Sequence, residues 1–146
     1  MKKFFLAGIV ALAMGFAFVS CNQKSDAPVD IKTDGTAVEV LTDIVTKAKA
    51  DGANWTIDQW KYVFKQAAIA FKPLMVKMAE LTDGLGGEGA AEKMAELEKF
   101  AGEYEPVEAL MDEFNKIAES CSNGKAVLDD KDFGKQLTDE IGLPDL

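Results

Sequence analysis

An all-α fold is what this sequence predicts, and three observations predict it. From about residue 36 onward, apolar side chains recur at the three- and four-residue spacing of a helix face. The breaks between these stretches are short and carry helix-stop chemistry, as at Asp51-Gly52, in the glycine-rich "DGLGGEG" and at Asn123-Gly124. No stretch joins sustained alternation to the turn signals of a hairpin. The expected architecture is a small antiparallel bundle of four to five helices in residues 36–146.

The first predicted helix spans about 36–51 and turns Val38, Leu41, Ile44, Val45 and Ala48 inward. Its "AVEVLTDIV" is rich enough in β-branched residues that a strand stays open there. The second starts at "TIDQ", where Thr56 and Gln59 suit a capping box, and runs to about Thr82. It would be about 40 Å long, with a possible kink at Pro73. Ile57, Trp60, Phe64, Ala67, Ala68, Phe71, Met75, Met78 and Leu81 form its wide apolar stripe.

A third helix, about 89–104, is expected to bury Ala90, Met94, Leu97 and either Phe100 or Ala101. Pro106 suits the first turn of a fourth, which runs to about Ser122 with Val107, Leu110, Met111, Phe114, Ile117 and Cys121 inward. One long helix kinked at the proline is the alternative. Asn123-Gly124 is read as its stop, and a short last helix, about 130–141, carries Phe133, Leu137 and Ile141. "KMAEL" occurs at 77–81 and 93–97, which common helix formers explain without a duplication.

The N-terminal segment is of another kind. Lys2 and Lys3 precede sixteen uncharged residues, Phe4–Val19, and a small-residue junction, the marks of a secretory signal peptide. As a helix that run spans about 24 Å, short of a bilayer core of about 30 Å, so a permanent transmembrane anchor is disfavoured. The junction Phe18-Val19-Ser20-Cys21 resembles the lipobox of bacterial lipoproteins. That resemblance implies a diacylglyceryl thioether on Cys21, cleavage between Ser20 and Cys21, and acylation of the new amine by a chain such as palmitate. Cleavage after Ala17 would instead leave Cys21 a free thiol. The resemblance covers about the first 25 residues; no family is recognised for the rest.

Each buried methylene of an acyl chain stabilises membrane association by about 0.8 kcal/mol, so two or three chains anchor durably. The resemblance further implies a cell-envelope protein. Asn22 lacks the aspartate that retains some lipoproteins at the inner membrane, so the outer membrane is expected. Residues 22–35, polar and aperiodic with Pro28 and Gly35, read as a flexible tether averaging about 20 Å and reaching about 45 Å.

Composition excludes much. There are 16 lysines, 25 acids, no histidine and no arginine. The leader holds two lysines and no acid, so 14 lysines against 25 acids leave the remaining chain at −11. Without histidine there is no Ser-His-Asp or Cys-His pair, no ordinary zinc-histidine site and no imidazole haem ligand. Without arginine there is no bidentate phosphate clamp. An acidic chain with no basic patch repels nucleic acid. Neither cofactor nor metal is expected.

Candidate surfaces are few. Tyr62, Ile69 and Val76 repeat every seven residues along a second, narrower line of the 56–82 helix, with Lys61, Lys65 and Lys72 between it and the apolar stripe. The line is either buried because that helix is central, or exposed and bound to a partner or a second copy. Trp55 and Trp60 are read first as packing and second as an aromatic platform for a ligand, with Trp55 the better placed for exposure. From 88 to 119 there are ten acids and three lysines; Glu88, Glu92, Glu96 and Glu103 share one stripe, Glu105, Glu108, Asp112 and Glu119 another. These read as solvated faces, since divalent-cation binding needs oxygens that converge. "DDKDFGKQLTDE" fails as an EF-hand loop, because Lys131 and Phe133 stand where oxygen ligands are required.

The functional expectation is a lipid-anchored, non-catalytic envelope protein whose helical domain binds a protein partner or small ligand. The alternatives are a structural lipoprotein that self-associates through the 56–82 helix, or a small carboxylate enzyme.

Overall fold

The structure is a computed structural model that describes residues 28–142 apart from Gly84. Ser20 and Cys21, the leader and the first part of the predicted tether lie outside the described residues. Five α-helices follow in order: α1 (Ala37–Asp51), α2 (Ile57–Thr82), α3 (Ala90–Ser120), α4 (Ser122–Leu128) and α5 (Lys131–Ile141). A 3-10 turn, Gly52–Asn54, joins α1 to α2, and there is no strand among the described residues. The all-α expectation therefore holds, and the strand left open for "AVEVLTDIV" is a helix.

Local chemistry sets the helix starts. Thr36 and Glu39 form a capping box at α1, and Thr56 and Gln59 form the one expected at α2. Each pairs two otherwise orphaned backbone N–H groups with side-chain oxygens. α2 touches all four other helices, which makes it the central element. It runs antiparallel to α3, with Phe64 against Phe114, Phe71 against Tyr104 and Lys77 paired to Glu103.

Trp60, Phe64 and Phe114 form the middle of the main core, with ring centroids 4.8–6.0 Å apart. Leu41, Ile44 and Val45 from α1 and Val107 and Met111 from α3 close it. The buried indole N–H of Trp60 donates to the carbonyl of Gly52 at 3.1 Å, so this large ring leaves no unpaired donor.

Several expectations need correction. The predicted tether is not free up to residue 35. Residues 28–35 lie along α1 as a strap: Ile31 is buried, the Lys32 N–H donates to Asp43 at 2.7 Å, and Lys47 donates to the Asp30 carbonyl. The two helices predicted over 89–122 are the single helix α3, which continues through Pro106. Proline has no N–H for the carbonyl of Gly102, but both residues lie on the exposed side, where water can take its place. Asn123-Gly124 does not stop a helix; both residues sit inside α4.

Gly124 is required there by proximity. A Cβ on it would stand 2.6 Å from the carbonyl oxygen of Ala118 and 3.0 Å from the Trp60 ring. Cys121, expected inside, is half-buried at the α3–α4 joint. Val38 is exposed, and Val40 is buried in its place. Met94, expected inside, is 50% exposed. Residues 90–99 of α3 contribute nothing to the main core, and none of them is buried.

Candidate functional site

The capping box at Thr56 fixes the phase of α2 and hence where its secondary line falls. Tyr62 is half-buried and packs against the main core, Ile69 is 44% exposed, and Val76 is half-buried. The line is thus one exposed isoleucine between two partly covered side chains. Pro73 withholds the N–H that the Ile69 carbonyl would accept in an unbroken helix, so this exposed spot has both an apolar side chain and a freed acceptor.

Trp55 does not join this surface. It is 5% exposed and packs edge-on against Trp60, with centroids 4.9 Å apart. Its carbonyl accepts from the side-chain amide of Asn123 at 2.8 Å. The 3-10 turn before it folds the ring back over the core, so neither tryptophan can stack on a ligand.

The lysine strip of α2 is taken up by α5. Lys61 pairs with Asp130 at 3.0 Å and stands over the ring of Phe133, Lys65 pairs with Glu140, and Lys72 donates to the carbonyl of Ile141 at 2.7 Å. Between these contacts Phe133, Leu137 and Ile141 lie on Ala68, a small apolar cluster that Phe133 joins to the main core. The N–H of Phe133, at 3.0 Å, is the main cause holding the Asp130 carboxyl below its ordinary range; Lys61 adds to it and partial burial opposes it. The sequence carried a signal for this docking in lysines at 61, 65 and 72 facing a helix with acids at both ends.

The acidic faces of α3 stay dispersed. Among the described residues no group of three Cys, Asp or Glu side chains comes together as a metal site. No polar or charged side chain is buried among them either. Burial first, and then the charges of Glu108 and Asp112, push the Tyr104 phenol up, which keeps it neutral. A hollow between Phe64, Val127, Leu128, Phe133, Gly134 and Leu137 holds about 10 Å³, room for one water and no more. No helix among the described residues is long and apolar enough to cross a membrane.

Compared with known proteins, the chain matches no family model, no curated protein and no solved structure. What can be assigned therefore rests on its own residues.

Proposed function

We propose that this chain is a lipid-anchored protein of the bacterial cell envelope, held through Cys21 in the outer membrane, whose helical domain is a non-catalytic module that binds a protein partner. The observation that carries the address is the junction Phe18-Val19-Ser20-Cys21 after a charged start and a short apolar run. A protein partner is favoured over a small ligand because the hollow beside α5 is far below the few hundred Å³ of ordinary ligand pockets. A binding role is favoured over catalysis because the carboxylates and lysines lie at the surface, without the burial that tunes acid–base groups. Ile69, exposed between Tyr62 and Val76, is the surface offered to the partner.

The test has two arms. Cells fed a labelled palmitate analogue should transfer the label to the wild-type chain and not to Cys21→Ala, which should also leave the membrane fraction or remain unprocessed. A Cys21→Ala chain that keeps both label and membrane retention removes the anchor reading. Cross-linking on intact cells should recover a protein with the wild-type chain and at least tenfold less with Ile69→Lys. Equal recovery by both removes this surface.

A further inference from the structure

One backbone angle separates α4 from α5. Asp129, at the end of α4, already has helical angles, φ −79° and ψ −11°. Asp130 has a helical φ of −79° but an extended ψ of 94°. Turning that ψ by about 135°, into the helical well near −42°, would join residues 122–141 into one helix about 30 Å long. The bend is held by the Asp130 carboxylate, which caps Phe133 and pairs with Lys61, and by the Asp130 N–H, which donates to the Val127 carbonyl at 3.2 Å.

What holds α5 down is suited to release. Its apolar patch is small and reaches the main core through Phe133 alone, its ion pairs are at the surface, and a hollow lies along its seam with α2 and α4. The geometry points to exchange of α5 between two copies of this chain: Asp130 is the hinge, α4 and α5 fuse into one helix, and each α5 docks on the α2 of the other copy. The occupant is a second copy because the strip beneath α5 is matched by α5 itself. Lys65 and Lys72 meet Glu140 and the Ile141 carbonyl, and Ala68 lies between Leu137 and Ile141. Contacts that α5 makes within one chain are remade between two, so exchange forfeits only the bend. The exchange does not depend on the lipid anchor; confinement to one membrane would only raise the effective concentration of copies.

Two variants push the equilibrium in opposite directions. Lys131→Pro places proline in the first turn of α5, where the preceding residue is already extended, so the bent form is kept. In a fused helix the same proline would be internal, where it withholds the N–H due to the Val127 carbonyl and crowds that carbonyl, so the fused form is disfavoured. Asp130→Ala removes the cap and favours a continuous helix. Sedimentation of the full chain, in detergent with micelles in excess, reads the dimer-to-monomer ratio against concentration. Asp130→Ala should raise the dimer association constant about 30-fold, because each of the two chains forgoes a cap. Lys131→Pro should lower it more than 100-fold while keeping its far-ultraviolet dichroism. Wild type and Asp130→Ala both monomeric at every concentration would overturn the exchange. So would a dimer that Lys131→Pro leaves unchanged, which would place association on another face such as Ile69. If Lys131→Pro does not fold, the rise or its absence in Asp130→Ala decides.

Discussion

The main core and the seam under α5 are built on the same face of α2 by different means. Around Trp60, Phe64 and Phe114 the chain interlocks large rings with aliphatic side chains from α1 and α3, and those three residues are at most 5% exposed. Eight residues beyond Trp60, Ala68 receives only Phe133, Leu137 and Ile141, and lysine pairs hold the flanks. The first region gains stability from apolar area removed from water. The second depends on a small patch and on exposed ion pairs, which contribute little each. A single helix thus carries a rigid half-contact and a releasable one.

The largest expected effect tests the rigid half. Phe114→Ala removes a fully buried ring that touches both Trp60 and Phe64. It should destabilise the domain by about 3–5 kcal/mol, read as a fall in the denaturant midpoint. A loss below about 1 kcal/mol would mean that the ring centre does not dominate. Next is Gly124→Ala, whose new methyl would meet the Ala118 carbonyl and the Trp60 ring. Its expected cost is about 1–3 kcal/mol, seen as a lower melting temperature. A neutral result would show that α4 shifts away freely.

Leu137→Ala probes the other region. It should cost about 2 kcal/mol, at the low end for such truncations, with the loss confined to α5. Hydrogen exchange should show α5 amides unprotected while those of α1 and of α3 around Phe114 keep their rates. Uniform loss of protection would merge the two regions into one cooperative unit. The smallest effect is acidification. The Asp130 carboxyl is held below its ordinary value of 3.8 chiefly by the Phe133 N–H, with Lys61 adding to it. A carboxyl lowered on folding stabilises fully above its unfolded value and loses that contribution as pH falls through the folded one. Protection of α5 should therefore be flat from pH 7 to about pH 5 and fall below about pH 4. In Asp130→Asn that acid-dependent fall should be smaller.

Much of the fold was legible because helix signals are local. The Thr56–Gln59 box stands where the sequence places it, and so does most of the wide stripe of α2, although Val63 is buried beside it and Ile57 and Met78 are only half-buried. What could not be read depended on distant partners. Ile31 and Val29 sit among polar residues with no period, and only α1, folded alongside, turns them into packing groups. Gly124 looks like a stop because glycine often supplies a positive φ after a helix, yet here it is needed for close approach. Met94 has a core-like spacing, but α3 outruns the elements that would cover it. Trp55 lies outside the helix pattern, and a three-residue turn is enough to bring it in. For the candidate surface, the seven-residue spacing left open whether Ile69 is buried or exposed, and it could not reveal that the neighbouring lysines were already engaged by α5.

The strap along α1 has a mechanical consequence if the chain is held at its N-terminus. Tension would reach Ile31 and the Lys32–Asp43 contact before it reached any helix. The strap runs opposite to α1, with Asp30 beside Lys47 and Lys32 beside Asp43 and Glu39. A pull away from the Lys47 end loads these contacts together in shear. Their failure would free residues 28–35, a segment about 27 Å long when fully extended. The reach would lengthen by that figure less the span the strap already covers along α1, while the bundle stayed folded. The strap would act as a fuse, setting how far the domain stands from its anchor at rest and how far it travels under load.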